Sequence, residues 1–135
     1  MKSDGSPYTI FTPYSRLWKQ KLSEQGIPTF PSEKLQNNFI QTNAFHFPTL
    51  HEIGFEETNT GISSIFIDKN IISNYHNTRN TPSINGTSNL SVHIRFGTVS
   101  VRALTKTALE LNEQWLNELI WREFFMMILY HYPKV

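Results

Sequence analysis

The sequence predicts a mainly α-helical chain with an irregular first half, on three observations. Apolar residues recur at helical spacing around 15–25, 64–80 and 113–132, and residues suited to capping stand at the ends of the later segments. Between about 27 and 62, by contrast, prolines and scattered aromatics keep no period at all.

Taken in order, residues 1–13 read as extended or turning backbone leading into "SRLWKQKLSEQ" (15–25), where Leu17, Trp18 and Leu22 mark an amphipathic helix that stops at Gly26. Pro28, Pro31 and Pro48 punctuate the next stretch, a long connection draped over something larger, and its length implies that the chain is part of a bigger fold. "SIFIDKNIISNYHNTRN" (64–80) sets Ile65, Ile67, Ile71, Ile72 and Tyr75 near helical spacing, with Asp68 early and Arg79 late as a helix dipole favours. After Pro82, Gly86 permits a tight approach, Thr87 and Ser88 offer capping hydroxyls, and a short helix ends at Gly97. Ser100 caps a helix to about Leu111, and Asn112 caps the last one, 113–132, before Pro133. "FFMMILY" (124–130) is apolar around its whole circumference, so this helix is expected to run into a protein interior.

At 135 residues the chain is one domain's worth. A net charge of +1 supplies no global attraction for nucleic acid or an anionic membrane, so any anion site must be local. The absence of cysteine excludes disulfides, thiolate metal sites and a cysteine nucleophile, and fits a reducing compartment. The N-terminus carries no apolar run of signal-peptide length, and no run approaches the roughly 20 residues of a membrane span. A soluble, cytoplasmic protein with no membrane partner is expected. The five histidines are spread out, so no metal site is expected either.

Two constellations carry chemistry. On the last helix Trp115, Glu118 and Arg122 stand at i, i+3 and i+7, flanked by Trp121 and Phe125, so that one broad face is both aromatic and ionic. Glu118 and Arg122 form an ordinary i,i+4 ion pair among packing tryptophans on one reading; on the other, the rings stack a planar ligand and the arginine forks onto phosphate. "GTSNLS" (86–91) is the second: three hydroxyls and successive N–H groups at a helix start make an anion cradle, or simply a helix cap.

Together, "GTSNLSVHIRFGTVSVR" and "WLNELIWREFF", preceded by Tyr75 with "TRNTP" and opened by "GSPYTIFTPYSRLW", closely resemble the class I DNA photolyase and cryptochrome family along nearly the whole chain. "WLNELIWREF" is most similar to the cyclobutane pyrimidine dimer photolyases. The resemblance implies that residues 1–63 form the interdomain connection with one short helix, and that 64–135 form the N-terminal part of a helical FAD-binding domain. Because the family's later helices complete the flavin pocket and carry its electron-relay tryptophans, it also implies a fragment, inactive on its own.

The resemblance assigns FAD contacts to Tyr75, to Thr87, Ser88, Asn89, Leu90 and Ser91 of the phosphate loop, to Trp115 and to Arg122. It turns Arg79 and Asn117 toward DNA, and gives Glu118 and Trp121 to the lesion as the catalytic carboxyl and the stacking ring. The activity implied is light-driven electron transfer from reduced FAD to a flipped-out pyrimidine dimer in UV-damaged DNA, with a second antenna chromophore elsewhere in the parent protein. A cryptochrome-type photoreceptor without repair activity is the first rival, and a structural fragment that pairs with itself is the second. Asn89 stands where the family usually has arginine, and Asn80 replaces its usual acid, so that either the phosphate loop binds more weakly or its backbone N–H groups suffice. With 124–130 uncovered by later helices, self-association is expected.

Overall fold

The computed structural model describes residues 2–135. It is mainly α-helical, as expected, with no strand among the described residues. The chain divides into two units, Met1–Ile27 with Ser63–Val135, and Pro28–Ile62.

Six α-helices build the first unit: α1 (Phe11–Gln25), α2 (Lys69–Ser73), α3 (Tyr75–Thr78), α4 (Ser91–Phe96), α5 (Val101–Leu111) and α6 (Glu113–His131). α1 begins four residues before the "SRLW" stretch, because Pro13 falls in its first turn, where a missing N–H costs nothing. It ends at Gly26 with φ 68°, in the left-handed half of backbone space that glycine enters freely. Phe11, Tyr14 and Trp18, spaced for one face, pack inward from it.

The single helix expected over 64–80 is two short ones. Asp68 adopts extended backbone and its carboxylate accepts from the N–H groups of Asn70 and Ile71, so the helix starts there and leaves Ile65 and Phe66 exposed outside it. Asn74 then leaves helical geometry at ψ 4° and separates α2 from α3.

Further on, local signals place the boundaries as expected. Gly97 closes α4 at φ 69°, the Ser100 hydroxyl accepts from Ala103 N–H, and Asn112 Oδ1 accepts from Trp115 N–H. Thr87 and Ser88 do not cap α4: its N-cap is Leu90, which makes no side-chain cap.

The core lies where α5 and α2 meet the first half of α6, with Ile72, Leu104, Leu116 and Ile120 buried together and Leu90 inserted from the turn before α4. Beyond Phe124 that burial stops. Phe125, Met126, Leu129 and Tyr130 are exposed, so "FFMMILY" does not run into an interior of this chain. Gly86 packs so tightly on α3 that a Cβ there would lie 2.5 Å from Thr78 Cβ, which accounts for a glycine at a buried position.

The Pro28–Ile62 unit is irregular, as its prolines predict. It holds one 3-10 helix, Ser32–Asn38, and a turn in which Glu52 accepts from the Thr49 N–H and hydroxyl and pairs with His46. No residue in it is buried.

Candidate nucleotide-binding cleft

A cleft of about 590 Å³ opens between the turn before α4 and the first half of α6. That is the usual size for a pocket that holds a small molecule or cofactor. Tyr75, Thr87, Ser88, Asn89, Leu90, Ser91, Trp115 and Arg122, all the residues assigned to FAD from sequence, line it together with Glu118. They come from three stretches of chain and converge only in the fold.

One wall is backbone. Asn89 has a positive φ of 52°, and Leu90 follows at φ −87° and ψ 4°. A left-handed residue next to a right-handed one turns successive N–H groups to one side, the arrangement of an anion-binding nest. Among the described residues, the N–H groups of Ser88, Asn89 and Leu90 donate to no backbone carbonyl. Leu90 is buried and pins the turn to the core, while the Thr87 hydroxyl donates to Asn89 Oδ1 at 3.3 Å and the Ser63 hydroxyl donates to the Asn89 carbonyl at 2.6 Å. The cradle expected at a helix start is therefore a cradle of the turn itself, since α4 has only six residues and little dipole to offer. Asparagine in place of arginine at 89 suits this geometry: its short side chain tolerates the left-handed region.

The other wall is α6, held at its start by the Asn112 cap, with Trp115, Glu118 and Arg122 projecting at i, i+3 and i+7. The intrahelical Glu118–Arg122 pair does not form. Glu118 instead takes an ion pair from Arg79 Nη1 at the end of α3, and the Arg79 guanidinium lies 5.2 Å from the centre of the Tyr75 ring. Burial, and next the charge of Glu118, push the Tyr75 phenol above its ordinary pKa, with Arg79 opposing, so it stays a hydrogen-bond donor at neutral pH. Arg122 has no carboxylate within ion-pair distance among the described residues; nor has Arg95, a second arginine in the lining. Two guanidinium groups beside free N–H donors leave the cleft ready for anionic charge.

Three of the assigned residues lie outside the lining. Arg79 reaches the cleft through Glu118 and the Tyr75 ring. Asn117 faces a second depression beside His76 and Asn112, and its buried Oδ1 has no hydrogen-bond partner. Trp121 stacks on Phe11 of α1, with ring centres 3.6 Å apart and planes 5° from parallel, and also meets Phe124 and Phe125. The expected single broad face of α6 is thus two faces. Sequence reasoning missed Arg95 and Met126, each four residues beyond an assigned residue (Ser91, Arg122), a one-turn step that was the available signal.

No family model matches the chain, and no solved structure matches it. Curated proteins do. It is 30% identical to the deoxyribodipyrimidine photo-lyase of Alkalihalophilus pseudofirmus, over 98% of the chain and 31% of that protein. It is 28% identical to that of Synechococcus over the whole chain and 34% of that protein, and 26% identical to that of Escherichia coli over the whole chain and 32% of that protein. Matches that run along the whole of a helical chain, against proteins of one name from several lineages, define it as a photo-lyase-type polypeptide. The chain belongs to the DNA photolyase family and spans about a third of the length of the curated relatives it matches.

Proposed function

We propose that this chain supplies the phosphate-holding cleft of a deoxyribodipyrimidine photo-lyase that uses FAD to split cyclobutane pyrimidine dimers in UV-damaged DNA. One observation carries the reading: all the residues assigned to the cofactor from sequence line a single cleft that also holds two arginines without carboxylate partners. The donor set fits a dinucleotide. Turn N–H groups and Arg122 suit the phosphates, and Trp115 suits a flat ring. FAD bound there would supply the light-driven electron, and a second antenna chromophore would belong to the rest of the parent protein.

This chain's own residues bind and orient. Glu118, half-buried at the cleft, offers a carboxylate to the lesion, and Arg79 turns to a DNA phosphate when that carboxylate is engaged elsewhere. Asn117 completes the DNA side of α6, and Trp121 joins it there by turning its ring from Phe11 to a flipped base. Copies of the isolated chain associate through the exposed strip of Phe125, Leu129 and Tyr130.

The test is an NMR titration of the chain with ADP, a probe that carries a diphosphate and a base. Shifts should centre on residues 87–91 and 115–122, and Arg122→Ala should weaken binding about tenfold or more, the scale for a charge-assisted contact. An ADP titration that leaves residues 87–91 unmoved overturns the reading.

A further inference from the structure

We propose that Ser63 and His93, neither of which lines the cleft, are positioning residues that hold the 87–91 turn in its anion-binding shape and so set how tightly it takes a diphosphate. The inference rests on the reading of the cleft given above. Left-handed backbone is disfavoured at residues other than glycine, less so at asparagine, and contacts from the surroundings hold it in place. Asn89 is in that state, and its carbonyl accepts a 2.6 Å hydrogen bond from the Ser63 hydroxyl, a residue 26 positions earlier in the chain.

Ser63 is itself held. Its carbonyl lies 2.6 Å from Nε2 of His93 in α4, and because a carbonyl can only accept, Nε2 carries the proton. With the tautomer fixed that way, Nδ1 accepts from the Thr98 hydroxyl at 2.8 Å. His93 is 8% exposed, so the ring is locked by packing as well as by both its nitrogens. Asn89, Ser63, His93 and Thr98 form one chain of hydrogen bonds that fastens the turn from behind. It ties the segment before α2 to both ends of α4 and leaves the N–H groups of Ser88, Asn89 and Leu90 without backbone partners. A cradle built of backbone needs such outside support, because its donors have no side chain of their own to lock.

The experiment compares variants of the 135-residue chain by two NMR readouts, the heteronuclear NOE of Ser88–Leu90 without ligand and the dissociation constant for ADP. Ser63→Ala should lower those NOEs and weaken ADP roughly fivefold, the scale of one hydrogen bond, and Ser63→Thr should restore both. His93→Leu should behave like Ser63→Ala, and His93→Gln, which keeps an N–H donor near the Nε2 position, should recover most of the loss. Ser100→Ala removes the α5 cap and serves as the structural control; it should lower stability without changing ADP affinity. The proposal is overturned if Ser63→Ala and His93→Leu keep wild-type NOEs and wild-type affinity, or if Ser100→Ala weakens ADP as much as they do. If the wild-type chain binds no ADP and Ser63→Ala still loosens the turn, the reading of the cleft falls and the hydrogen-bonded support stands.

Discussion

Trp115 and Trp121 sit on the same helix six residues apart, and the fold gives them opposite surroundings. Trp115 is 4% exposed, packed in the core with one edge on the cleft, while Trp121 lies half-buried against Phe11 on the side that meets α1. Six residues of helix rotate a side chain by ~600°, which leaves the two indoles ~120° apart around the axis. Glu118 and Arg122 side with Trp115, and Phe124 and Phe125 side with Trp121. One amphipathic count along the sequence therefore conceals two walls with separate work: one lines the cleft, and the other joins helices.

The difference can be broken by substitution, and Trp115→Ala should have the largest effect. It removes a buried indole from the centre of the core and should cost about 3–5 kcal/mol of stability, read by urea unfolding. A loss below about 1 kcal/mol would mean that Trp115 serves the cleft alone.

Gly86→Ala comes next. Its added methyl would meet Thr78 Cβ at 2.5 Å and the Thr78 backbone carbonyl carbon at 3.0 Å, so α3 must shift, at a cost of about 1–3 kcal/mol. Equal midpoints for variant and wild type would show that the two segments separate freely.

On the α1 side, a double-mutant cycle of Phe11→Leu and Trp121→Leu should give a coupling of about 0.5–1.5 kcal/mol, the scale of a stacked aromatic pair. Coupling near zero would release Trp121 from α1 and leave its ring free for other work.

The smallest effect is one of pH. Burial, and then the nearby Glu123 charge, push the Tyr14 phenol up to about 12 from an ordinary value of 10.0. A pKa raised by folding contributes stability that is fully present below the unfolded value and lost as pH rises through the folded one. Stability should therefore fall slightly between pH 10 and about 12, and Tyr14→Phe should flatten that fall when urea midpoints are compared across the window. An unchanged slope in the variant would assign the alkaline loss to other groups.

Much of this fold was legible because its signals are local. Ser100, Asn112 and Gly97 each mark a helix end through a bond or a dihedral within four residues, and no distant contact is needed to read them. Most of the residues lining the cleft were legible for another reason: the motif that carries the family resemblance names them directly. What could not be read depends on tertiary partners. Glu118 has a basic residue one turn away on its own helix, yet pairs with Arg79, 39 residues earlier, because α3 packs on that face. The break at Asn74 and the exposed strip after Phe124 belong to the same class, since periodicity reports a preference for burial and not whether a covering surface is there.

Asn112 joins more than its cap requires. While Oδ1 accepts from Trp115 N–H, the amide nitrogen donates to the Ser73 carbonyl at 3.0 Å and to His76 Nδ1 at 2.9 Å. One side chain thus fastens the first turn of α6 to the end of α2 and to α3. In kinetic terms these pieces share a hinge pin, so they open together: amide exchange at the start of α6 and around residues 74–77 should follow a single opening equilibrium. The substitution Asn112→Asp would keep the cap and lose both donations, splitting that one opening unit into two.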